Sequence, residues 1–253
     1  MTLVTARGQA FHVSRFGQGP PVVMLHGLLT GSVATWYLTC APRMAGQWAP
    51  LMIDMRGHGL SDRPPTGYGS ASMAEDLFAL TVDLPPFPIV GHSFGCVVAA
   101  RFAVDHPERV TAVALVEPPY GLGLGSPAGT DIVAMLGRGL KPRSAAKLIA
   151  LVAETSILAD VEADPGLTDE MLAALPARLL AVFGDRSPCR AGAEVIGRVR
   201  PDAQVALLPG DHDVHAQSTS QLTDLLLGFL AAPADTPEHV EPSPLQVGAL
   251  TTA

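Results

Sequence analysis

The chain has 253 residues, 48% of them hydrophobic and 16% charged, which excludes a disordered polymer and lets a domain bury its own core without disulfide or metal staples. Its 16 basic and 24 acidic residues leave a net charge of −8 with no basic tract, so no nucleic-acid partner is expected. No apolar run approaches the ~20 residues of a membrane span, the opening residues carry no stretch of signal-peptide length, and Cys40, Cys96 and Cys189 form no CxxC pair. The expectation is a cytoplasmic protein with reduced thiols and no membrane partner.

In chain order, Leu3–Ala6 and Ala10–Phe16, split by Arg7-Gly8, predict an antiparallel hairpin. Six short apolar runs follow at Pro21–Leu25, Pro50–Asp54, Phe87–Val90, Val110–Val116, Leu179–Phe183 and Gln204–Leu208. Helical spacing occupies Ser32–Gln47, Ser72–Val82, Phe94–Asp105, Ala191–Val199 and Gln217–Leu230. Strands that are apolar throughout need cover on both faces, so the pattern predicts an α/β architecture: a mostly parallel eight-stranded sheet with helices on both sides. Between Pro118 and Pro176 the alternation stops. Only helix-like pieces appear there (Asp131–Leu140, Ser144–Leu158, Thr168–Leu175), and an insertion at that point predicts a short helical lid above the strands' C-terminal edge. Residues 1–120 and 176–231 are therefore expected to form the core and 121–175 the lid. The Pro-rich stretch 232–253 is expected to be a disordered tail.

Gly91-His92-Ser93-Phe94-Gly95 joins the run Phe87–Val90 to the helix Phe94–Asp105. A G-x-S-x-G between strand and helix is a nucleophile elbow, in which the flanking glycines relieve contacts that a side chain would make in so sharp a turn. A serine hydroxyl is a weak nucleophile and needs an adjacent base. His212, in Pro209-Gly210-Asp211-His212 between the last strand and the last helix, is the expected base, with His215 as the fallback. The nucleophile–acid–histidine order fits this kind of site.

On these residues the chain resembles the alpha/beta-hydrolases. His26-Gly27-Leu28 follows the strand Pro21–Leu25 as the family's oxyanion loop does. Asp54-Met55-Arg56-Gly57-His58-Gly59-Leu60-Ser61-Asp62 is similar to the D-x-R-G-x-G-x-S-D turn of the lipase- and epoxide-hydrolase-like branch. The resemblance implies an oxyanion hole at the backbone of Leu28 and Phe94, and loop-orienting roles for His26 and His58. His92 is expected to pack or hydrogen-bond beneath the elbow. His12, His106 and His239 carry no motif and are expected at the surface.

The acid has two candidates. The family's common slot is the loop after the penultimate strand, here Gly184-Asp185-Arg186-Ser187-Pro188, where Asp185 comes early and Ser187 fills the slot. The other slot ends the strand after the elbow helix, and there Glu117 follows Thr111–Val116 directly. Glu117 is favoured, Asp185 is the alternative, and Asp211 and Asp213 come after these. His26 and Gly27 beside the oxyanion loop, and Met135, Leu136 and Leu148 on the lid, are the expected substrate-binding residues. Gly121–Gly125 lacks the next glycine of a dinucleotide loop and reads as a hinge. His212-x-x-His215 lacks a third ligand, so neither metal nor cofactor is expected.

The expected function is a serine hydrolase acting on an ester, lactone or thioester of a small, largely apolar substrate. The same scaffold with His as a base could instead serve carbon–carbon hydrolysis, lyase or cofactor-independent oxygenase chemistry. A third reading is a member that only binds a ligand. The expected partner is a small molecule, with a homodimer as the one protein partner allowed for.

Overall fold

The structure is a computed structural model that describes residues 2–120 and 140–232. Eight strands, β1 (Thr2–Ala6), β2 (Gln9–Arg15), β3 (Pro21–Leu25), β4 (Ala49–Ile53), β5 (Phe87–His92), β6 (Val110–Val116), β7 (Arg178–Gly184) and β8 (Gln204–Leu208), form one sheet. Their order is β1-β2-β4-β3-β5-β6-β7-β8. Pairing is antiparallel from β1 to β2 and from β2 to β4, and parallel across the remaining strands. Arg7 (φ 50°) and Gly8 (φ 75°) close the β1–β2 hairpin, two consecutive left-handed residues being what a tight turn between twisted strands requires.

Alternation within the buried strands divides the core in two. Val23, Leu25, Ile89, Val113, Leu115, Leu179 and Phe183 pack on one face against the helices Ser70–Thr81, Phe94–Asp105 and Gly192–Val199. Val22, Met24, Val90, Ala114, Val116 and Val182 pack on the other against Ala41–Met44 and Thr219–Ala231. Neither face of the central strands meets water, which explains why period-2 polarity is missing from them. The two edge strands differ: Leu3 and Val4 on β1 and Val205 and Leu207 on β8 are exposed.

The helix expected over Ser32–Gln47 is two single turns, Ala34–Tyr37 and Ala41–Met44, with Pro42 in the first turn of the second. A proline has no N–H to continue a ladder and its ring clashes with the preceding turn. The expected Ser144–Leu158 helix likewise splits into Pro142–Glu154 and Ile157–Ala163. Thr155 turns extended there. Its hydroxyl donates to Leu151 O, and Ser156 N–H goes to Pro65 O, so local hydroxyl bonding displaces the helix ladder. Asp169–Ala174 completes the described part of the helical insertion between β6 and β7. The expected Asp131–Leu140 helix, the Gly121–Gly125 hinge, Met135, Leu136, the tail beyond Ala232 and His239 lie outside the described residues.

The turn after β4 is organised by one buried carboxylate. Asp54 accepts N–H bonds from Val33 (2.6 Å) and Leu60 (2.9 Å), and its Oδ2 lies 2.7 Å from His12 Nδ1. His12 is 3% exposed, which corrects its expected surface position: it faces inward from β2 because it partners an acid that the sequence places 42 residues away. Gly59 has φ 55°, and a Cβ there would fall 2.0 Å from Asp54 Oδ2. Gly59→Ala is therefore expected to destabilise the protein by about 2 kcal/mol or more, through backbone strain and displacement of the carboxylate. A urea-unfolding midpoint equal to that of the parent would contradict this account of the turn.

Candidate active site

The parallel register brings the ends of five strands to one edge. Leu25 pairs with Gly91, His92 with Val116, Val116 with Val182, and Gly184 with Leu208. The loops beginning at His26, Ser93, Glu117, Asp185 and Pro209 therefore start side by side. The chain runs from β3 to β4 on one side and then to β5 on the other, so this edge includes the sheet's topological switch point, where crevices form.

Ser93 sits between β5 and the helix Phe94–Asp105 with φ 54° and ψ −125°. Its N–H is held by Val116 O at 2.9 Å. The turn works only with bare backbone beside it: a Cβ on Gly91 would lie 2.4 Å from Gly95 O, and one on Gly95 would lie 2.5 Å from His26 O. Ser93 Oγ is 3.0 Å from His212 Nε2, and His212 Nδ1 is 3.1 Å from Glu117 Oε2. A carboxylate only accepts, so Nδ1 carries the ring proton and Nε2 is left to accept from the serine.

Glu117 follows β6 with φ 58° and no solvent exposure. Its N–H donates to Val182 O at 2.8 Å. Its Oε1 accepts from Gly184 N–H, and its Oε2 accepts from the Ser187 hydroxyl as well as facing His212. The loop that holds Asp185 thus contributes a hydroxyl donor to Glu117. Asp185 accepts from Gly210 N–H at 2.9 Å and pairs with Arg186; among the described residues no hydrogen bond joins it to His212. Its position beside Gly184 turns it outward to brace the histidine loop. Asp211 is engaged with Gln217 and with Asp213 N–H. Ser187, noted in the sequence only as an uncharged filler, is a residue whose role pattern reading missed.

Gly27 lies against the nucleophile, since a Cβ there would be 3.1 Å from Ser93 Cβ. Among the described residues neither Leu28 N–H nor Phe94 N–H has a hydrogen-bond partner, whereas Leu29 N–H, at φ 67°, donates to His58 Nε2 at 2.9 Å. His58 in turn contacts Arg56 O through Nδ1 at 2.8 Å. His26 contacts Gly27 O through Nδ1 at 2.7 Å and accepts Met55 N–H at Nε2 at 3.0 Å. Each ring stitches the His26–Thr30 loop to the turn after β4. His26 is fully buried with both nitrogens committed, which corrects its expected contact with substrate. Leu148 is also buried, at 3% exposure. His92 Nε2 contacts His212 O at 3.0 Å. His215 packs on His92 and Trp36, away from the serine contact that His212 makes. Cys189, with its Sγ 3.6 Å from His212 Nδ1, carried no signal in the sequence beyond its residue type.

Protonation follows from burial. Desolvation pushes His26 down to about 4 and His58 down to about 3, and it lowers His92 and His215 as well. For His212 burial also disfavours the charge, but the neighbouring Cys189 and Glu117 outweigh it and hold the ring above its ordinary 6.5.

A family model described as "alpha/beta hydrolase fold" matches residues 20–193. The chain is 27% identical to the 2-(acetamidomethylene)succinate hydrolase of Mesorhizobium japonicum, over 87% of this chain and 91% of the relative. It is 38% identical to the pimeloyl-[acyl-carrier protein] methyl ester esterase of Chromobacterium violaceum, there over only 41% of this chain and 39% of the relative. In fold it is similar to the enol-lactonase from Burkholderia xenovorans LB400, with a TM-score of 0.75 at 16% identity, covering 91% of this chain and 100% of that one.

The two loop-stitching histidines generate a pH prediction. Their folded pKa values lie below the unfolded 6.5, so the unfolded chain binds more protons and stability falls as pH drops below 6.5 toward about 4 and 3. The loss approaches ~1.4 kcal/mol per pH unit for each ring. Ring resonances of His26 and His58 should stay at their neutral positions from pH 8 to 5 in the native protein. Titration of either near 6.5 in the folded state would sink the prediction.

Proposed function

The chain belongs to the alpha/beta hydrolase fold family, and from that premise we propose that it is a serine hydrolase cleaving an ester, lactone or thioester of a small, largely apolar substrate. The observation that carries this reading is the unbroken relay from Ser93 Oγ through both nitrogens of His212 to a buried Glu117. In the proposed cycle Ser93 Oγ attacks the carbonyl carbon as its proton passes to His212 Nε2. Glu117 keeps the ring oriented and stabilises the imidazolium. The Leu28 and Phe94 N–H groups receive the oxyanion, each donor being worth ~3 kcal/mol in systems of this kind. The imidazolium then protonates the leaving group, and water, activated by the same base, hydrolyses the acyl-enzyme.

The helical insertion is proposed as the lid over this edge. Its Leu151, Ile157, Val161 and Leu172 belong to the same apolar cluster as β3 and β5, and Asp160 accepts from Gly67 and Tyr68 N–H at 2.8 Å each. Such a cover suits a small apolar substrate better than a polymer. The Chromobacterium relative, named for a methyl ester, supports ester chemistry over the segment it shares.

Fluorophosphonate labelling should mark Ser93 and be abolished by Ser93→Ala, with turnover on a panel of p-nitrophenyl esters, lactones and acyl thioesters falling by roughly 10³–10⁶. Near-parental turnover by Ser93→Ala would rule out the acyl-enzyme. Glu117→Gln is expected to lower kcat by orders of magnitude, while Asp185→Asn costs about tenfold or less through loop geometry. The reverse ranking would move the acid's role to Asp185.

A further inference from the structure

Cys189 is 2% exposed, and its thiol lies beside the catalytic relay without a step in the proposed cycle. Its Sγ is 3.6 Å from His212 Nδ1, the same nitrogen that lies 3.1 Å from Glu117 Oε2. The sulfur, nitrogen and carboxylate oxygen all lie within 4.8 Å of one another, and among the described residues this is the one such group of three potential metal ligands. Zinc bonds of ~2.3 Å to sulfur and ~2.0–2.2 Å to nitrogen and oxygen set tetrahedral ligand separations of about 3.3–3.6 Å. The two separations from His212 Nδ1, 3.6 Å to sulfur and 3.1 Å to oxygen, already lie close to that range. Sulfur, imidazole and carboxylate together favour a thiophilic divalent cation over calcium or magnesium. His212 is the door, its side chain being 39% exposed while Glu117 is fully buried.

We propose that Glu117, Cys189 and His212 form an inhibitory binding site for a thiophilic divalent cation such as zinc, with water completing the coordination. The inhibitory half of this rests on the hydrolase reading; the binding half does not. On binding, the Cys189 thiol loses its proton to solvent as the S–Zn bond forms. The proton on His212 Nδ1 moves to Nε2 as the N–Zn bond forms, and Glu117 exchanges its contact with the ring for the metal. Nothing is oxidised or reduced. Nε2 then donates instead of accepting, and the Ser93 hydroxyl has no base.

The test uses the full chain, its Ser93→Ala variant, and Cys189→Ala with Cys189→Ser as a second replacement, each checked for a cooperative thermal transition. Equilibrium dialysis against zinc should give one tightly held ion per chain in the parent and in Ser93→Ala. Cobalt(II) should produce a thiolate-to-metal charge-transfer band in both. The two Cys189 variants should lose that band and bind zinc at least 100-fold more weakly. Zinc should also block fluorophosphonate labelling of the parent at concentrations that leave labelling of the Cys189 variants unaffected. Zinc uptake by the Cys189 variants equal to the parent's, or no uptake by Ser93→Ala, would overturn the site. Stoichiometric zinc uptake by a chain that fluorophosphonate fails to label even when zinc-free would instead count against the hydrolase reading and leave the binding site standing.

Discussion

A carboxylate shut off from water has to be satisfied where it sits, and Glu117 is satisfied by the rest of the fold. Gly184 at the end of β7 supplies a backbone donor, Ser187 a hydroxyl, and His212 after β8 a ring nitrogen. Leaving such a charge unpaired in a protein interior costs several kcal/mol. The ends of β6 and β7 and the loop after β8 are thereby locked to one another, and the relay to Ser93 inherits its geometry from that lock. Ser187 occupies the slot where the family more often carries an acid and contributes a hydrogen bond to the charge next door.

Backbone strain is concentrated at the same edge. Of the four non-glycine residues with positive φ among the described residues, Leu29, Ser93 and Glu117 belong to three different site loops; the fourth, Arg7, sits in the hairpin turn. Conformations of this kind cost of order 1–3 kcal/mol each and persist only where the surroundings over-determine them. Here the surroundings are specific: His58 holds Leu29 N–H, Val116 O holds Ser93 N–H, and Val182 O holds Glu117 N–H. The apolar clusters on the two sheet faces stabilise the scaffold that bears this strain.

The neutral histidines give the site its rigidity. His26 and His58 each donate and accept, a pattern available only to an uncharged ring, and burial keeps them uncharged. His212 differs because a carboxylate faces its Nδ1. Identical side chains at one sheet edge thus differ in protonation according to what lies beside each nitrogen.

Local pattern was enough for much of this. Runs apolar on both faces identified the buried parallel strands, and the strand–GxSxG–helix context singled out Ser93. Position after a strand pointed to His212, with His215 as the fallback, and favoured Glu117 over Asp185, because covalent spacing and side-chain periodicity are written directly in the chain. Breaks at Pro42 and Thr155 were less legible, since a helical periodicity persists through a proline that lacks the N–H of the ladder and through a threonine whose hydroxyl bonds back to Leu151 O. Four features were decided by tertiary structure alone: the His12–Asp54 pair, the Ser187 donor to Glu117, the burial of His26, and the approach of Cys189 to His212. In each, two groups far apart in sequence meet because the parallel register lines up strand ends and because buried polar atoms must find partners wherever the fold puts them.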